Sequence, residues 1–235
     1  MTHIIRDAIK LRYQLIPYLY QLSIASSQSG MPVIRPLVLE FQSDTAVYQT
    51  SFDFMLGPCL LVSSVTEEGQ TTKDVYLPKG TQWCDFWTGK WYIGGENVQV
   101  SVPLSQHGAL FAKEGSMIPT GKCMQYVGAE QDDLRVFLCF PPLEAKDHVY
   151  ESVLVEDDGI SLHPLRTIIR IQMQSFEEFV QVDCINLQNE FKLPYDTIWF
   201  QLSRSDKRVV KSSQGALMTR MYQDRLMYGL NLSFK

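Results

Sequence analysis

The first thirty residues carry a clear helical pattern. Gly30 can end this helix, because glycine readily adopts the left-handed conformation of a helix cap. Pro17 removes a backbone donor, so we expect it to kink or split the helix near Ile16. Apolar residues outside the main stripe, Tyr18 among them, predict a helix covered on more than one side. The positions of the main stripe recur at helical spacing; they are Ile5, Ile9, Leu15, Ile16, Leu19 and Leu22.

An apolar run without alternation follows the helix, at Val33–Leu39. Such a run is typical of a strand buried on both faces, as in a parallel sheet. No nearby segment of the chain offers a parallel neighbour. We therefore expect the natural domain to begin upstream of Met1.

From about Phe54 onward the hydrophobic period changes to two, which predicts β-strands. The polar, irregular segment Gly121–Asp133 is the candidate linker between two β modules. The fold class predicted from this pattern is mainly β, with two antiparallel β-sandwich modules. The predicted strands lie at 60–62, 75–77, 98–104, 134–140, 152–156, 167–173, 179–185, 197–202, 208–210 and 227–234, with turns at 78–80, 88–90 and 94–95.

Composition and charge indicate an ordinary globular protein. The chain has 235 residues, of which 45% are hydrophobic and 20% charged, an ordinary globular composition. A net charge of −5 disfavours a nucleic-acid partner. No apolar run approaches the ~20 residues that span a bilayer, so no membrane partner is expected. The five cysteines lack a CxxC pair. Buried, reduced thiols predict a cytoplasmic location.

Adjacent carboxylates occur in Glu156-Asp157-Asp158-Gly159. They could form a catalytic pair or a cation site, but Asp-Gly after a strand is also a common turn signal. Neighbouring residues of a strand point to opposite faces, which suits neither shared catalysis nor one metal ion. The turn interpretation is favoured.

An aromatic cluster lies between the turns at 78–80 and 88–90 and just beyond them. Exposed aromatic rings could stack on sugars, whereas buried ones would hold two strands together. Burial is favoured, and Trp83 and Trp87 are predicted to share one face of a short strand. The cluster comprises Trp83, Phe86, Trp87, Trp91 and Tyr92.

Two further sets of polar residues are candidate site residues. Arg35 stands on an apolar strand and must find carboxylate or carbonyl partners; a structural ion pair is favoured over a substrate contact. The histidines stand singly and lack ligand spacing, so no metal site is predicted. They are His3, His107, His148 and His163.

Five segments, in order, resemble the end of the catalytic domain and the following β module of glycoside hydrolase family 31, which comprises α-glucosidases, α-xylosidases and their relatives. They are LRYQLIPYLY, GMPVIRPLVLEF, FDFMLGPCLLVSSV, DVYLPKGTQWCDFWTG and EGSMIP. The resemblance covers about Ile4 to Pro119. Beyond it, only the all-β pattern and Val155–Gly159 resemble the family.

The resemblance implies three parts. Residues 1–53 would be the end of a catalytic (β/α)8 barrel, with Met1–Gly30 as its last outer helix, Val33–Leu39 as the eighth strand and Asp44–Ser51 as a short closing helix. Residues 54–120 would be the proximal C-terminal β-sandwich, and residues 121–235 the distal one.

The resemblance also implies the chemistry of the parent enzyme, retaining hydrolysis of α-glycosides by two carboxylates. In the family both are aspartates in motifs that precede the matched segments, and neither motif occurs here. No catalytic residue, metal or cofactor is therefore predicted, and substrate-binding residues stay unknown.

The expected function is the structural C-terminal part of an α-glycosidase that releases terminal α-linked glucose or xylose from oligosaccharides or glycosides. Substrate would be held by the missing barrel, and the chain alone would be inactive. Self-association into a homo-oligomer is expected through the apolar face of the N-terminal helix, which includes Ile5, Ile9, Leu15 and Leu19. The alternative is a free-standing carbohydrate-binding module, with Trp83–Tyr92 as a sugar platform, or a scaffold β-sandwich. The unpaired barrel strand argues against both.

Overall fold

A computed structural model describes residues 2–50, 52–106 and 108–232. It is mainly β and contains several sheets, which confirms the coarse prediction of the fold class. The chain forms two compact units. The first comprises residues up to Lys10, Leu22–Glu114 and Ser203–Ser205; the second comprises Leu11–Gln21, Gly115–Leu202 and the residues from Asp206 onward.

The N-terminal segment is two helices, α1 (Thr2–Gln14) and α2 (Ile16–Ser29). The break confirms the effect predicted for Pro17, which lies in the first turn of α2, where a missing N–H costs least. Gly30 has a φ of +73°, as a C-terminal cap requires. Helix α1 buries none of its residues, so for α1 the expectation of cover on several sides is wrong.

The strand predicted at Val33–Leu39 needs correction. Strand β1 spans only Ile34–Pro36 and pairs antiparallel with β2 (Asp53–Leu56). Ile34 is 60% exposed, so the strand is not buried on both faces. The apolar run continues as a short helix, α3 (Leu37–Glu40). A short apolar run cannot by itself distinguish a strand from a helical turn.

The short helix predicted at Asp44–Ser51 is a 3₁₀ helix at Thr45–Gln49, and Ser51 lies outside the described residues. Asp44 caps its N-terminus by accepting a hydrogen bond from the Ala46 N–H. The same buried carboxylate accepts from the Tyr76 hydroxyl at 2.8 Å and the Lys79 N–H at 2.9 Å. Burial raises the pKa of Asp44, but these hydrogen bonds outweigh it and hold the pKa below its ordinary value.

The first unit has two antiparallel sheets. One has six strands in the order β1-β2-β3-β8-β5-β6, and the other pairs β4 with β7. Buried side chains of both sheets form one core that includes Met55, Val75, Trp83 and Phe111. The remaining strands are β3 (Leu60–Ser63), β4 (Thr72–Leu77), β5 (Gln82–Asp85), β6 (Trp91–Ile93), β7 (Glu96–Ser101) and β8 (Ala109–Lys113).

The second unit also has two sheets around one core, which includes Phe137, Ile171, Val182 and Phe200. The five-stranded sheet has the order β16-β17-β14-β10-β9, and the four-stranded sheet the order β11-β12-β13-β15. The strands are β9 (Ser116–Thr120), β10 (Arg135–Phe140), β11 (Val149–Glu156), β12 (Thr167–Ser175), β13 (Phe179–Asn189), β14 (Thr197–Leu202), β15 (Val209–Lys211), β16 (Met218–Tyr222) and β17 (Arg225–Asn231).

The second unit is not purely antiparallel, which corrects the prediction for the distal module. Strands β10 and β14 run parallel, as do β13 and β15. A parallel pair needs a long connection between its strands. Here β11, β12 and β13 supply that connection between β10 and β14.

Strand β9 pairs with β10, so its hydrogen bonds join it to the second unit. The sequence division at residue 120 places the same strand in the proximal module. The three-part division of the chain stays a prediction. Segment Gly121–Asp133 contains no helix or strand.

Candidate functional site

Arg135, at the start of β10, is the centre of a buried charge network in the second unit. Its side chain is only 4% exposed. The Nε atom donates to Oε1 of Glu156 at 2.8 Å, and Nη1 donates to Oδ2 of Asp132 at 3.0 Å. The Tyr195 hydroxyl donates to the same Glu156 oxygen at 2.8 Å, and the guanidinium lies 5.3 Å from the Tyr195 ring centre. Glu156, the first carboxylate of the acidic motif, is thereby occupied.

The electrostatics of this network keep Arg135 charged and Tyr195 neutral. Burial alone would lower the pKa of Arg135, but the charge of Glu156 and then Tyr195 and Asp132 raise it above its ordinary value. Burial and the neighbouring Glu156 raise the pKa of Tyr195 far above its ordinary value. Neither group exchanges protons near neutral pH, so the network is suited to holding structure and not to acid–base catalysis.

Asp157 makes a second set of contacts. The Tyr20 hydroxyl of α2 and the Gly159 N–H both donate to its Oδ1, the latter at 2.9 Å. The Nε atom of Arg166 lies 3.4 Å from Oδ2, and the Asp157 side chain is 1% exposed. Burial and the hydrogen bond to Asp157 raise the pKa of Tyr20 to about 12. The carboxylate therefore joins a helix to the strand end and is not open to a substrate.

Asp158 shapes the loop between β11 and β12. Its Oδ1 accepts from the N–H groups of Ile160 at 3.0 Å and Ser161 at 2.9 Å. The Ser161 hydroxyl and these amides hold the pKa of Asp158 below its ordinary value. Gly159 has a φ of +64°, as a tight turn requires. These contacts support the turn interpretation of the acidic motif.

Hydrogen bonds to backbone groups hold the helical segment Leu11–Gln21 against the β structure. The Gln21 side-chain amide donates to the Val155 carbonyl and accepts from the Val155 N–H, both at 2.8 Å. Val155 belongs to β11, an edge strand, so the glutamine occupies hydrogen-bonding positions of a missing strand. The Gly121 N–H donates to the carbonyl of Gln14 at 2.9 Å.

The aromatic cluster is mainly structural. Trp83 is completely buried and its Nε1 donates to the Pro78 carbonyl at 2.9 Å, which confirms its predicted burial. Trp87 is half-buried, and its Nε1 donates to the Gly108 carbonyl at 3.0 Å. Strand β5 ends at Asp85, whose carboxylate accepts from the N–H groups of Trp87 and Thr88. The prediction that Trp83 and Trp87 share a strand face is therefore wrong.

Arg35 forms the structural ion pair that was favoured. Its Nε donates to the Pro32 carbonyl at 2.8 Å, and Nη1 donates to Glu40. Among the described residues no three His, Cys, Asp or Glu side chains are grouped to hold a metal ion. His107 lies outside these residues. Neither α1, α2 nor α3 is both long and apolar enough to cross a bilayer.

Sequence reasoning missed the basic and phenolic partners of the acidic motif. The sequence does contain a signal for Arg135, which is the first residue of the apolar strand RVFLCF. An arginine buried at that position requires an acidic partner. Tyr20 and Tyr195 carried no such signal, because a tyrosine in an apolar segment reads equally well as core. Glu156, Asp157 and Asp158 are all engaged as acceptors, so they do not form an open carboxylate pair.

Comparisons with known proteins agree on one family. Residues 30–118 match the Glycosyl hydrolase family 31 C-terminal domain. The alpha-xylosidase of Saccharolobus solfataricus is 37% identical over 161 residues, 67% of this chain and 21% of the relative. A probable glucan 1,3-alpha-glucosidase of Arabidopsis thaliana is 42% identical over 118 residues, 50% of this chain and 13% of the relative.

A solved structure shares the fold. The Flavobacterium johnsoniae GH31 dextranase complexed with glucose aligns with a TM-score of 0.81 at 24% identity, over 98% of this chain and 31% of the dextranase. The chain and the dextranase therefore share a mainly-β fold. The chain belongs to glycoside hydrolase family 31 and corresponds to a C-terminal portion of its enzymes.

The matched portion has two consequences. The chain spans between about an eighth and a fifth of the length of these two curated relatives. The family match begins at residue 30 and so includes β1. Strand β1 pairs antiparallel with β2, and the assignment of Val33–Leu39 to the eighth barrel strand stays a prediction.

Proposed function

We propose that this chain is the C-terminal, structural part of a retaining α-glycosidase that hydrolyses terminal α-linked glucose or xylose from oligosaccharides or glycosides. The match of residues 30–118 to the family's C-terminal domain carries the proposal, because the matched relatives are several times longer. Their printed names, an alpha-xylosidase and a glucan 1,3-alpha-glucosidase, support this substrate class. The substrate would be bound by a barrel outside the present sequence.

The chain's own role in this proposal is to carry a helix of the catalytic portion on a β support. Segment Leu11–Gln21 would be part of the last outer helix of the barrel. Its support comes from Asp157, which accepts from Tyr20, and from Val155, which pairs with Gln21. These contacts fix the position of the helix through buried or half-buried polar groups, whose loss is costly.

The chain alone is proposed to be inactive. A retaining glycosidase needs a nucleophile and a general acid held about 5 Å apart. The acidic motif cannot supply them, because Glu156 is paired with Arg135 and Asp157 is paired with Tyr20 and Arg166. We also propose a cytoplasmic location, which the buried free thiols of Cys139 and Cys184 support.

Activity measurements test this proposal directly. The purified chain is incubated with nitrophenyl α-glucoside and α-xyloside, and the alpha-xylosidase of Saccharolobus solfataricus serves as the positive control. We expect no release of nitrophenol above a heat-treated sample. Turnover that disappears in the Asp157→Asn variant would contradict the proposal and return the acidic motif to a catalytic role.

A further inference from the structure

Strand β16 (Met218–Tyr222) has an open edge. It lies at the end of the five-stranded sheet and pairs with β17 on one side. In the part of the chain that the structure describes, no strand occupies its other side. Four of its five residues are exposed. Such an edge presents backbone donors and acceptors to another strand.

Comparable positions of the four-stranded sheet are protected. The Gln21 amide fills the outer positions of Val155 on β11. The Gln214 amide does the same at Cys184 of β13, where it accepts from the N–H at 2.8 Å and donates to the carbonyl at 2.7 Å. No comparable side chain covers β16 among the described residues. This strand is therefore the better candidate for pairing with another chain.

The charges on this edge complement one another. Arg220 and Asp224 are both exposed, and neither has an ion pair among the described residues. Alternate residues of a strand share a face, so Arg220 and Tyr222 lie on one side of β16. Asp224 follows in the turn, with a φ of +59°. This edge therefore carries the cation of Arg220, the aromatic ring of Tyr222 two positions later and the carboxylate of Asp224 four positions later.

We propose that β16 pairs antiparallel with β16 of a second copy of this chain, around a two-fold axis at Met221. An antiparallel edge is self-complementary under such an axis. The axis places Arg220 opposite Tyr222 of the second copy and beside its Asp224. A register that overlaps all five residues instead opposes the two Arg220 side chains, and like charges directly opposite destabilise a pair.

Apolar surface also lies at the proposed axis. Met221 is 62% exposed, and its cross-strand neighbour Leu226 is 44% exposed. The two-fold axis brings these side chains together with their symmetry mates. The contact is small, so the dimer is expected to be weak and to depend on protein concentration.

Sedimentation velocity between about 1 and 300 µM tests the interface. We expect a monomer–dimer equilibrium that the Met221→Lys variant shifts fully to monomer, because charge on an edge strand opposes pairing. Arg220→Glu places an acid near Asp224 of the second copy and should weaken the dimer roughly tenfold. Combining it with Asp224→Asn should restore part of that loss, since asparagine also tolerates a positive φ.

Lys207→Glu is the matched control, since it makes the same charge change at an exposed position outside the edge. It should leave the equilibrium unchanged. Hydrogen exchange of the amides of residues 218–222 should slow as the dimer forms. A monomer at every concentration overturns the proposal. A dimer that tolerates Met221→Lys but dissociates in Ile9→Lys also overturns it, because the contact then lies on α1.

Discussion

At the scale of single residues, the structure depends on glycines that lie so close to a neighbouring side chain that no Cβ atom fits. Gly115 has a φ of +79°, and a Cβ atom there would lie 2.0 Å from the Tyr150 ring. Gly229 has no positive φ, but a Cβ atom there would lie 2.8 Å from the Trp199 ring on the neighbouring strand. Glycine at these positions is required by its neighbours and not only by the backbone.

Gly115→Ala should lower the free energy of unfolding by about 3 kcal/mol, because the strain of a positive φ adds to a clash with Tyr150. Gly159→Ala is the control: its φ is +64°, but no atom lies within 4 Å of the added Cβ, so the loss should be about 1 kcal/mol. Urea unfolding measures both variants. Equal losses would show that backbone strain alone explains Gly115.

Arg135→Gln should cost about 3–5 kcal/mol of stability, because it leaves Glu156 buried without its cation. Arg170→Gln removes an exposed arginine from a similar pair, since Arg170 lies 3.8 Å from Glu151 and both side chains are 40% or more exposed. Exposed pairs contribute about 0–1 kcal/mol. Thermal unfolding compares the two variants, and similar small losses would mean that the Arg135 network is not a structural centre.

At the scale of elements, Asp44 connects the 3₁₀ helix with the turn that follows β4. Its pKa is lowered in the folded protein, so the carboxylate stabilises the fold above its unfolded pKa of about 4. That contribution is lost as the pH falls below about 4 through the folded pKa. Asp44→Asn should therefore reduce stability at pH 7 by about 1–2 kcal/mol and show a smaller difference from wild type near pH 3. Denaturant melts at both pH values decide; a difference that does not change with pH would contradict the role of the charge.

Trp83→Ala should destabilise the first unit by about 3–5 kcal/mol, because the side chain is fully buried and a cavity remains. Trp87→Ala should cost clearly less, since Trp87 lies half-buried in a turn. Neither variant is expected to change any affinity for oligosaccharides. If Trp87→Ala alone abolishes binding of an oligosaccharide without changing the melt, the aromatic cluster is a sugar platform.

Periodicity predicted most strands of the second unit, the break at Pro17 and the turns at glycine, since these depend on local side chains. In the first unit it predicted β3, β4 and β7 but missed β2, β6 and β8. It did not predict β16, whose residues Met218–Tyr222 show no buried face because the strand is exposed on both sides. It also gave β1 the wrong length and partner. Strand partners are set by distant segments, and no local pattern distinguishes the antiparallel neighbour β2 from a parallel one.

The candidate site was predicted only in part, for the same reason. Asp-Gly indicated a turn at Asp158 and Gly159 from neighbouring residues alone. The partners of Glu156 and Asp157 come from positions as distant as Tyr20 and Tyr195. Contacts between residues so far apart in sequence produce no local pattern, so the sequence alone does not distinguish a turn from a carboxylate site at the acidic motif.

At the scale of the whole molecule, the chain builds two separate hydrophobic cores. One lies between the six- and two-stranded sheets and contains Trp83 and Phe111. The other lies between the five- and four-stranded sheets and contains Ile171 and Phe200. Each core is made of residues of one unit only. Cooperative unfolding is therefore expected to follow the units.

A pair of core variants tests this expectation. Trp83→Ala removes contacts within the first core, so it should speed hydrogen exchange of the amides in β2, β3 and β8 more than of those in β12 and β14. Ile171→Ala, which removes a smaller buried volume from the second core, should have the opposite preference. The comparison controls for general destabilisation, because each variant is the reference for the other. Mass spectrometry of exchanged peptides gives the readout, and equal acceleration in all five strands for both variants would show that the two cores unfold as one cooperative structure.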